Sequence, residues 1–171
     1  MITLWELKGK DGRRYSLFSW RTKMALKHKG LAFESQPVLM SDKAAIAFSG
    51  GKTVPVIVAD VHERVDPADE HYFRQQFEGF LKCTLEEARA RQPKALERLA
   101  RALEPMQAAL KRQPFICGSA PAYADYILFS VLQWARITSP QAIFNNSDVM
   151  YGWRERILDL YDGFARNIPT A

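Results

Sequence analysis

Residues 15–26 read YSLFSWRTKMAL, a segment that leaves a short apolar run and immediately begins a helix. Ser16 and Ser19 fall in its first turn, where unpaired backbone N–H groups and the positive end of the helix dipole favour an anion. A thiolate placed beside these hydroxyls would be stabilised. Ser16 is equally consistent with a purely structural role, since serine is among the preferred helix N-caps.

The composition describes a soluble globular protein. The chain has 171 residues, of which 47% are hydrophobic and 25% charged, enough for one well-filled core or two small ones. No apolar run approaches the roughly 18 residues of a spanning helix, and residues 1–6 lack the features of a signal peptide. We therefore expect a cytoplasmic protein that does not bind membranes. Cys83 and Cys117 show no metal-ligand spacing and are predicted to be reduced thiols.

The net charge of +5 belongs to the first third of the chain. Residues 1–60 carry ten Lys or Arg against five Asp or Glu, whereas residues 61–171 carry fourteen of each. This excess suits a small anionic ligand, although a solvated helix face has the same composition. The basic residues are scattered rather than interleaved with aromatics, which argues against nucleic-acid binding.

The order of elements in the first sixty residues is β-α-β-α-β. Strands are predicted over Ile2–Leu7, Leu31–Val38 and Val54–Val58, and the helix that follows Tyr15 is expected to end at Gly30. Ser41 and Asp42 would begin a second, short helix. This order indicates an α/β domain of thioredoxin type.

Pro55 at the start of a buried strand requires an explanation, because proline cannot donate to a sheet ladder. A cis Val54–Pro55 bond in a tight turn would leave the backbone of Val54 free to pair with an extended ligand. The alternative is an ordinary trans proline that opens an edge strand.

Together these features resemble the glutathione transferase superfamily. Residues 16–21 match its active-site motif, and residues 53–56 match its cis-proline motif. Residues 122–127 resemble the capping region of its helical C-terminal domain. Within the superfamily, residues 20–26 with 29–31, and Gln133-Trp134-Ala135-Arg136, look most like the bacterial β-etherase-type enzymes.

The resemblance implies an enzyme that activates the thiol of glutathione. Ser16 matches the catalytic position and Ser19 is the second candidate. By the same correspondence Val54 and Pro55 would bind the cysteinyl part of glutathione. Lys52 would meet its glycyl carboxylate, unless it is simply a solvated loop lysine. No metal is implied.

The second substrate is expected to be an aromatic electrophile, such as a β-aryl ether. Phe18 and Trp134 are candidates to line its pocket, since such pockets are mostly apolar. Trp20 is also aromatic, but core packing is the better interpretation for it. The alternatives are a glutathione transferase with an unrelated substrate and a carrier protein that keeps the fold without turnover.

The sequence departs from the family pattern at three places. Leu17 stands at the position where the family usually has proline. Ala122 stands where family members commonly have Ser, Thr or Asn, so the side-chain cap of that helix is missing, although Asp125 three residues later can still bind the free N–H groups there. More seriously, the fourth strand and third helix expected after Val58 are absent. We hypothesise that the sequence joins two segments at this point; an intact polypeptide of 19.5 kDa would instead mean a true deletion.

Residues 61–171 read as an all-helical domain. Apolar side chains recur at three- and four-residue spacing, which is typical of core-facing helices. The predicted fold is therefore α/β plus all-α, with an incomplete thioredoxin-like domain over residues 1–60 and a helical bundle over 61–171. By the resemblance, the protein is expected to be a homodimer. Four helices are predicted from these side chains: one with a bulky face of Tyr72, Phe73, Phe77 and Phe80; one with a core stripe of Leu96, Leu99, Leu103, Met106 and Leu110; one built from Ile127, Leu128, Val131, Leu132 and Ala135; and a last one from Trp153, Ile157, Leu158, Tyr161 and Phe164.

Overall fold

The computed structural model describes residues 2–42 and 65–171. In the first range, β1 (Ile2–Leu7) and β2 (Phe33–Val38) flank α1 (Leu17–His28). The second range is helical. Its elements are α2 (Glu70–Leu81), α3 (Leu85–Ala90), α4 (Gln92–Leu110), α5 (Tyr123–Thr138), α6 (Val149–Leu158) and a terminal turn (Leu160–Gly163).

The described sheet consists of β1 and β2 in parallel register, from Ile2 opposite Phe33 to Leu7 opposite Val38. Two parallel neighbours need a crossover connection, and α1 supplies it. The prediction for β1 is confirmed, while β2 begins at Phe33 rather than Leu31. The predicted helix over 41–48, the third strand over 54–58 and the proposed junction after Val58 lie outside the described residues.

The bounds of α1 follow from local chemistry. Ser16 caps its start, and no glycine or proline interrupts the twelve residues that follow. Gly30 adopts a φ of 64°, a left-handed conformation that costs glycine little, and the chain turns there towards β2. Since α1 ends at His28 and Lys29 is its C-cap, the prediction that Gly30 follows the cap and terminates the helix is confirmed.

One hydrophobic core joins the two parts of the fold. From α1 it takes Trp20 and Met24, and from α5 and α6 it takes Phe129, Ile137 and Trp153, all essentially inaccessible to solvent. The combination of a short thioredoxin-like sheet with a helical C-terminal bundle confirms the predicted fold class.

The helical region differs from prediction in three places. An additional short helix, α3, is capped by Thr84 through a capping box with Glu87. Phe80 belongs to the predicted bulky face of α2, but it is 60% exposed, whereas Phe73 of the same helix is buried. The last helix was predicted to run through Tyr161, yet it ends at Leu158 because Tyr161 adopts a φ of 56°, which an α-helix does not accommodate.

The start of α5 confirms the predicted role of Asp125. Its Oδ2 accepts a hydrogen bond from the Ala122 N–H at 3.0 Å, which is the half of a capping box that the third helical residue supplies. Its Oδ1 accepts from the Ile116 N–H at 2.8 Å and from the Trp153 indole at 2.9 Å. A carboxylate that is completely buried is thus satisfied by three donors.

Candidate active site at the start of helix α1

Ser16 is the N-cap of α1 and remains partly accessible. Its Oγ accepts a hydrogen bond from the Ser19 N–H at 3.3 Å. A hydroxyl carries one proton and two acceptor lone pairs, so accepting this bond leaves its own proton available to donate. The first turn contains no acidic side chain that would cancel the positive end of the helix dipole.

Ser19 lies one turn further on and is less accessible. Only 8% of the residue is exposed, and its backbone N–H is the donor that Ser16 captures. The two serines are therefore close together, but Ser16 presents the more open hydroxyl.

The loop that leads into Ser16 is fixed by side chains of the helix and strand on either side. The Trp20 indole donates to the Arg14 carbonyl at 2.7 Å, and Arg14 Nη1 donates to the Gly12 carbonyl at 2.7 Å. Arg14 Nε also lies 3.5 Å from Glu6 Oε1. The backbone before the cap is therefore tied to both β1 and α1.

A buried ion pair lies beneath this loop. Glu6 on β1 and Lys23 on α1 are 3% and 4% exposed and contact each other directly. Burial lowers the pKa of the Lys23 ammonium, and the negative charge of Glu6 opposes that change. The Lys23 ammonium also lies 4.5 Å from the centroid of the Trp20 ring, a cation–π distance.

Tyr15 places a buried phenol directly before Ser16. Among the described residues its hydroxyl has no hydrogen-bond partner. Burial raises the pKa of the Tyr15 phenol, and the negative charges of Asp69 and Asp66 raise it further.

The neighbouring carboxylate of Asp69 is fully buried and binds the backbone directly after β2. Its Oδ2 accepts from the Met40 N–H at 2.6 Å and its Oδ1 from the Ser41 N–H at 2.9 Å. Asp69 belongs to the 3₁₀ turn that precedes α2. A residue of the helical region therefore fixes the backbone that leaves β2.

The predicted pocket residues occupy different environments. Phe18 is 43% exposed, and the guanidinium of Arg21 lies 4.9 Å from its ring centroid. Trp134 on α5 is 5% exposed and belongs to the hydrophobic core. Trp20 is buried, as predicted. Lys52, Val54 and Pro55 lie outside the described residues.

Sequence reasoning missed Glu6, Lys23 and Tyr15 as parts of this region. A glutamate at the end of an apolar strand and a lysine one turn after Ser19 read as surface residues, because charged side chains are rarely buried unless paired. A glutamate within the apolar strand β1 was the one sequence feature that could have indicated a buried charge. Its partner Lys23 lies seventeen positions later on another element and is brought close only by the fold.

The described residues contain no group of three or more His, Cys, Asp or Glu side chains that would hold a metal ion. None of the helices over residues 2–42 and 65–171 has the length and apolar character needed to span a bilayer.

The described residues combine a short thioredoxin-like sheet with a helical C-terminal bundle, and α1 begins at a polar, partly accessible serine. Comparison with protein families then identifies the family. The family described as "Glutathione S-transferase, N-terminal domain" matches residues 15–66, and "Glutathione S-transferase, C-terminal domain" matches residues 43–165, most of the chain. This protein belongs to the glutathione S-transferase family.

Solved structures of glutathione transferases share the fold. CsGST63524 of Ceriporiopsis subvermispora, in complex with glutathione, aligns with a TM-score of 0.74 at 14% identity and covers 99% of both chains. CsGST83044 of the same fungus, also in complex with glutathione, aligns with a TM-score of 0.64 at 15% identity and covers 92% of this chain and 98% of that one. GSTFuA3 of Phanerochaete chrysosporium aligns with a TM-score of 0.62 at 16% identity and covers 94% of this chain and 91% of that one. At such identities the likeness establishes the fold.

Proposed function

We propose that the protein is a glutathione transferase in which Ser16 stabilises the glutathione thiolate. The observation that carries the proposal is the position of Ser16 as N-cap of α1, partly accessible and with its hydroxyl proton available. Family membership supports the transferase class. Two of the similar structures contain glutathione, which supports the same ligand here.

The chemistry follows from the acidity of a thiol. A free thiol has a pKa of about 8.5, so only a few per cent is ionised at neutral pH. A hydrogen bond donated by Ser16 Oγ and the positive end of α1 both favour the anion, which lowers the pKa of the thiol. The resulting thiolate attacks the electrophilic carbon, a C–S bond forms, and the leaving group departs with the electron pair of the broken bond.

The remaining roles are proposed by correspondence with the family motifs. Ser19 is the second candidate for the thiolate, Val54 and Pro55 bind the cysteinyl backbone, and Lys52 binds the glycyl carboxylate. We further propose that residues 1–60 form the glutathione-binding domain and residues 61–171 the helical domain. The protein is proposed to be a homodimer in the cytoplasm.

The proposed second substrate is an aromatic electrophile, with a β-aryl ether as the more specific candidate. Phe18 supports an aromatic partner, because its exposed ring lies two residues after Ser16. Trp134 would contribute only if binding opens the core around it, since the ring is buried. Of the two proposed pocket residues, Phe18 therefore has the stronger structural support.

The test measures thiol transfer from glutathione to a chlorodinitrobenzene for the unmodified protein and for Ser16→Ala. We expect the substitution to reduce kcat/KM by about tenfold or more, the scale of one lost charge-assisted hydrogen bond. The loss should be accompanied by a higher apparent thiol pKa in the ultraviolet thiolate absorbance of bound glutathione.

Two controls make this experiment specific. Ser16→Thr keeps a hydroxyl and a good N-cap, and should retain most of the activity. Asp148→Ala removes the N-cap of α6, whose carboxylate accepts from the Met150 N–H at 2.7 Å, so it reports the effect of losing a cap elsewhere. Equal turnover in Ser16→Ala and the unmodified protein would remove Ser16 from this role, and glutathione binding without turnover would favour the carrier.

A further inference from the structure

The indole of Trp20 connects the hydrophobic core to the loop directly before Ser16. Trp20 lies one helical turn after Ser16 and is 1% exposed. Its Nε1–H donates to the Arg14 carbonyl at 2.7 Å. A buried indole usually has a hydrogen-bond acceptor for reasons of stability alone. The position of this acceptor, two residues before the proposed thiolate-binding serine, indicates a second role.

Trp20 binds two peptide carbonyls, one on each side of Tyr15. Its indole binds the carbonyl of Arg14, and its backbone N–H donates to the carbonyl of Ser16 at 3.0 Å. Because a peptide group is planar, a carbonyl that is held fixes the plane of its whole peptide group. Trp20 therefore restrains the direction in which the chain enters and leaves Ser16.

The loop is held from the opposite side as well. The guanidinium of Arg14 donates through Nη1 to the Gly12 carbonyl at 2.7 Å, and its Nε lies 3.5 Å from Glu6 Oε1 on β1. Arg14 is thus fixed through its side chain by β1 and through its carbonyl by α1. Loss of the indole bond would leave the carbonyl of Arg14 without its contact to α1.

The indole ring is itself held in place by two further side chains. The Lys23 ammonium lies 4.5 Å from the ring centroid, a cation–π distance, and also contacts Glu6. The Phe164 ring packs against Trp20 with its centroid 5.9 Å away. The indole N–H therefore points at the Arg14 carbonyl in a fixed direction, which a mobile donor would not provide.

We propose that Trp20 is a positioning residue for Ser16, which it orients through the backbone of Arg14. The proposal rests on the proposed role of Ser16 in binding the glutathione thiolate. The bond from the Ser19 N–H to Ser16 Oγ is long, at 3.3 Å, so the backbone has a large share in deciding where the hydroxyl lies. Small displacements of a catalytic group reduce rates strongly, because the reaction depends on its alignment.

Trp20→Phe tests the proposal, because it removes the N–H and keeps a buried aromatic ring. We expect kcat/KM for glutathione and a chlorodinitrobenzene to fall about threefold to tenfold, the range of one neutral hydrogen bond. The apparent thiol pKa of bound glutathione, followed by the ultraviolet thiolate absorbance, should rise towards that of free glutathione.

Trp153→Phe is the matched control. Trp153 lies on α6, is fully buried, and donates its indole N–H to Asp125 Oδ1 at 2.9 Å. The control removes the same group from the core, so its stability should also fall, but kcat/KM and the thiol pKa should stay unchanged. A purely structural role of Trp20 would make the two variants behave alike.

A double-mutant cycle shows whether Trp20 acts through Ser16. In the Ser16→Ala background there is no hydroxyl to orient, so adding Trp20→Phe should lower kcat/KM by less than about twofold. Losses that multiply independently in the double variant would overturn the proposal.

Amide hydrogen exchange tests the contact without glutathione or turnover. The Ser19 N–H, which donates to Ser16 Oγ, should exchange at least about threefold faster in Trp20→Phe than in the unmodified protein or in Trp153→Phe. Circular dichroism establishes that the variants are folded. If Trp20→Phe is not, the unmodified protein decides: saturating glutathione should shift the ¹H–¹⁵N resonance of the Trp20 indole and leave that of Trp153 in place.

The outcomes separate this proposal from the proposed function. Reduced turnover in Ser16→Ala, combined with equal turnover and equal Ser19 exchange in the two tryptophan variants, would overturn the role of Trp20 alone. Unchanged turnover in Ser16→Ala would overturn the role of Ser16 and, with it, the positioning role of Trp20. An indole resonance of Trp20 that does not respond to glutathione would also contradict the proposal.

Discussion

Tyr15 places a buried polar atom directly before Ser16, the residue proposed to stabilise the thiolate. Its hydroxyl is buried without a hydrogen bond from the described residues, and it faces the negative charges of Asp69 and Asp66. A buried polar group of this kind costs free energy relative to an apolar group of the same shape. By contrast, Tyr126 contacts His28 Nδ1 at 2.8 Å and the Tyr161 hydroxyl at 2.6 Å.

Tyr15→Phe is expected to leave the free energy of unfolding at pH 7 unchanged or to raise it by up to about 1 kcal/mol, since no described hydrogen bond is lost. Tyr126→Phe makes the same chemical change but should lower that free energy by about 1–2 kcal/mol. Urea denaturation of the three proteins decides between these outcomes. A larger loss in Tyr15→Phe than in Tyr126→Phe would show that the hydroxyl of Tyr15 has a stabilising partner.

Tyr15→Phe should also change how the stability of the protein depends on pH. The folded protein holds the Tyr15 proton more tightly than the unfolded chain does, because its pKa is raised on folding. The stability that this tighter proton binding contributes is fully present below the unfolded pKa of about 10, and it is lost as the pH rises above that value. Urea midpoints should therefore fall less steeply above about pH 10 in Tyr15→Phe than in the unmodified protein. Parallel curves would contradict the raised pKa.

At the scale of elements, the start of α5 depends on one carboxylate instead of the usual cap. Ala122 has the extended backbone of an N-cap residue, with φ −130° and ψ −178°, but no side chain that can accept a hydrogen bond. Asp125 compensates by binding three donors from three different segments. It therefore joins the beginning of α5 to the loop after α4 and to Trp153 of α6.

Ala122→Ser should raise the free energy of unfolding by about 0.5–1 kcal/mol, because serine supplies the missing cap. Asp125→Ala should lower it by about 3–5 kcal/mol, since it leaves buried donors without an acceptor. Thermal and urea unfolding measure both changes. Asp148→Ala, which removes a single capping bond, is the matched control for an ordinary cap and should cost about 1 kcal/mol.

The ion pair between Glu6 and Lys23 is a second contact between elements, and it connects β1 to α1. Breaking a buried pair at one end leaves an uncompensated charge, so Lys23→Met should cost about 3–5 kcal/mol of unfolding free energy. The double variant Glu6→Gln with Lys23→Met should recover part of that loss. A double-mutant cycle in urea measures the coupling, and additive losses would mean that the pair makes no net contribution.

At the scale of the molecule, the helix that carries the proposed active site is part of the core of the helical region. The ring centroids of Trp20 and Phe164 are 5.9 Å apart, and the Lys27 ammonium lies 4.8 Å from the Phe164 ring. His28 reaches Tyr126 across the same contact. The two predicted domains are thus expected to unfold together.

Trp20→Ala should destabilise both parts by about 3–5 kcal/mol, the usual cost of removing a buried tryptophan. Far-ultraviolet circular dichroism and tryptophan fluorescence should follow one transition in urea. Phe80→Ala, at a 60% exposed position, is the control and should change stability by less than about 0.5 kcal/mol. Two separate transitions in the unmodified protein would show that the domains are independent.

The sequence by itself determined those structural features that depend only on residues close together in the chain. The limits of β1, the Ser16 cap, the turn at Gly30 and the acceptor role of Asp125 follow from propensity, capping and the special conformation of glycine, which act over a few positions. The family also follows from sequence, because its motifs are short and keep their order along the chain.

Only the tertiary structure decided the contacts between distant residues. These contacts depend on which surfaces meet when the helices pack, and they include the pairing of Glu6 with Lys23, the burial of Trp134, the exposure of Phe80 and the hydrogen bonds from Arg136 to the carbonyls of Ala165 and Arg166. Gln133 and Arg136 illustrate the difference. Their sequence suggested a subfamily, whereas in the fold both donate to the carbonyl of Ala165, because packing brings that segment against α5.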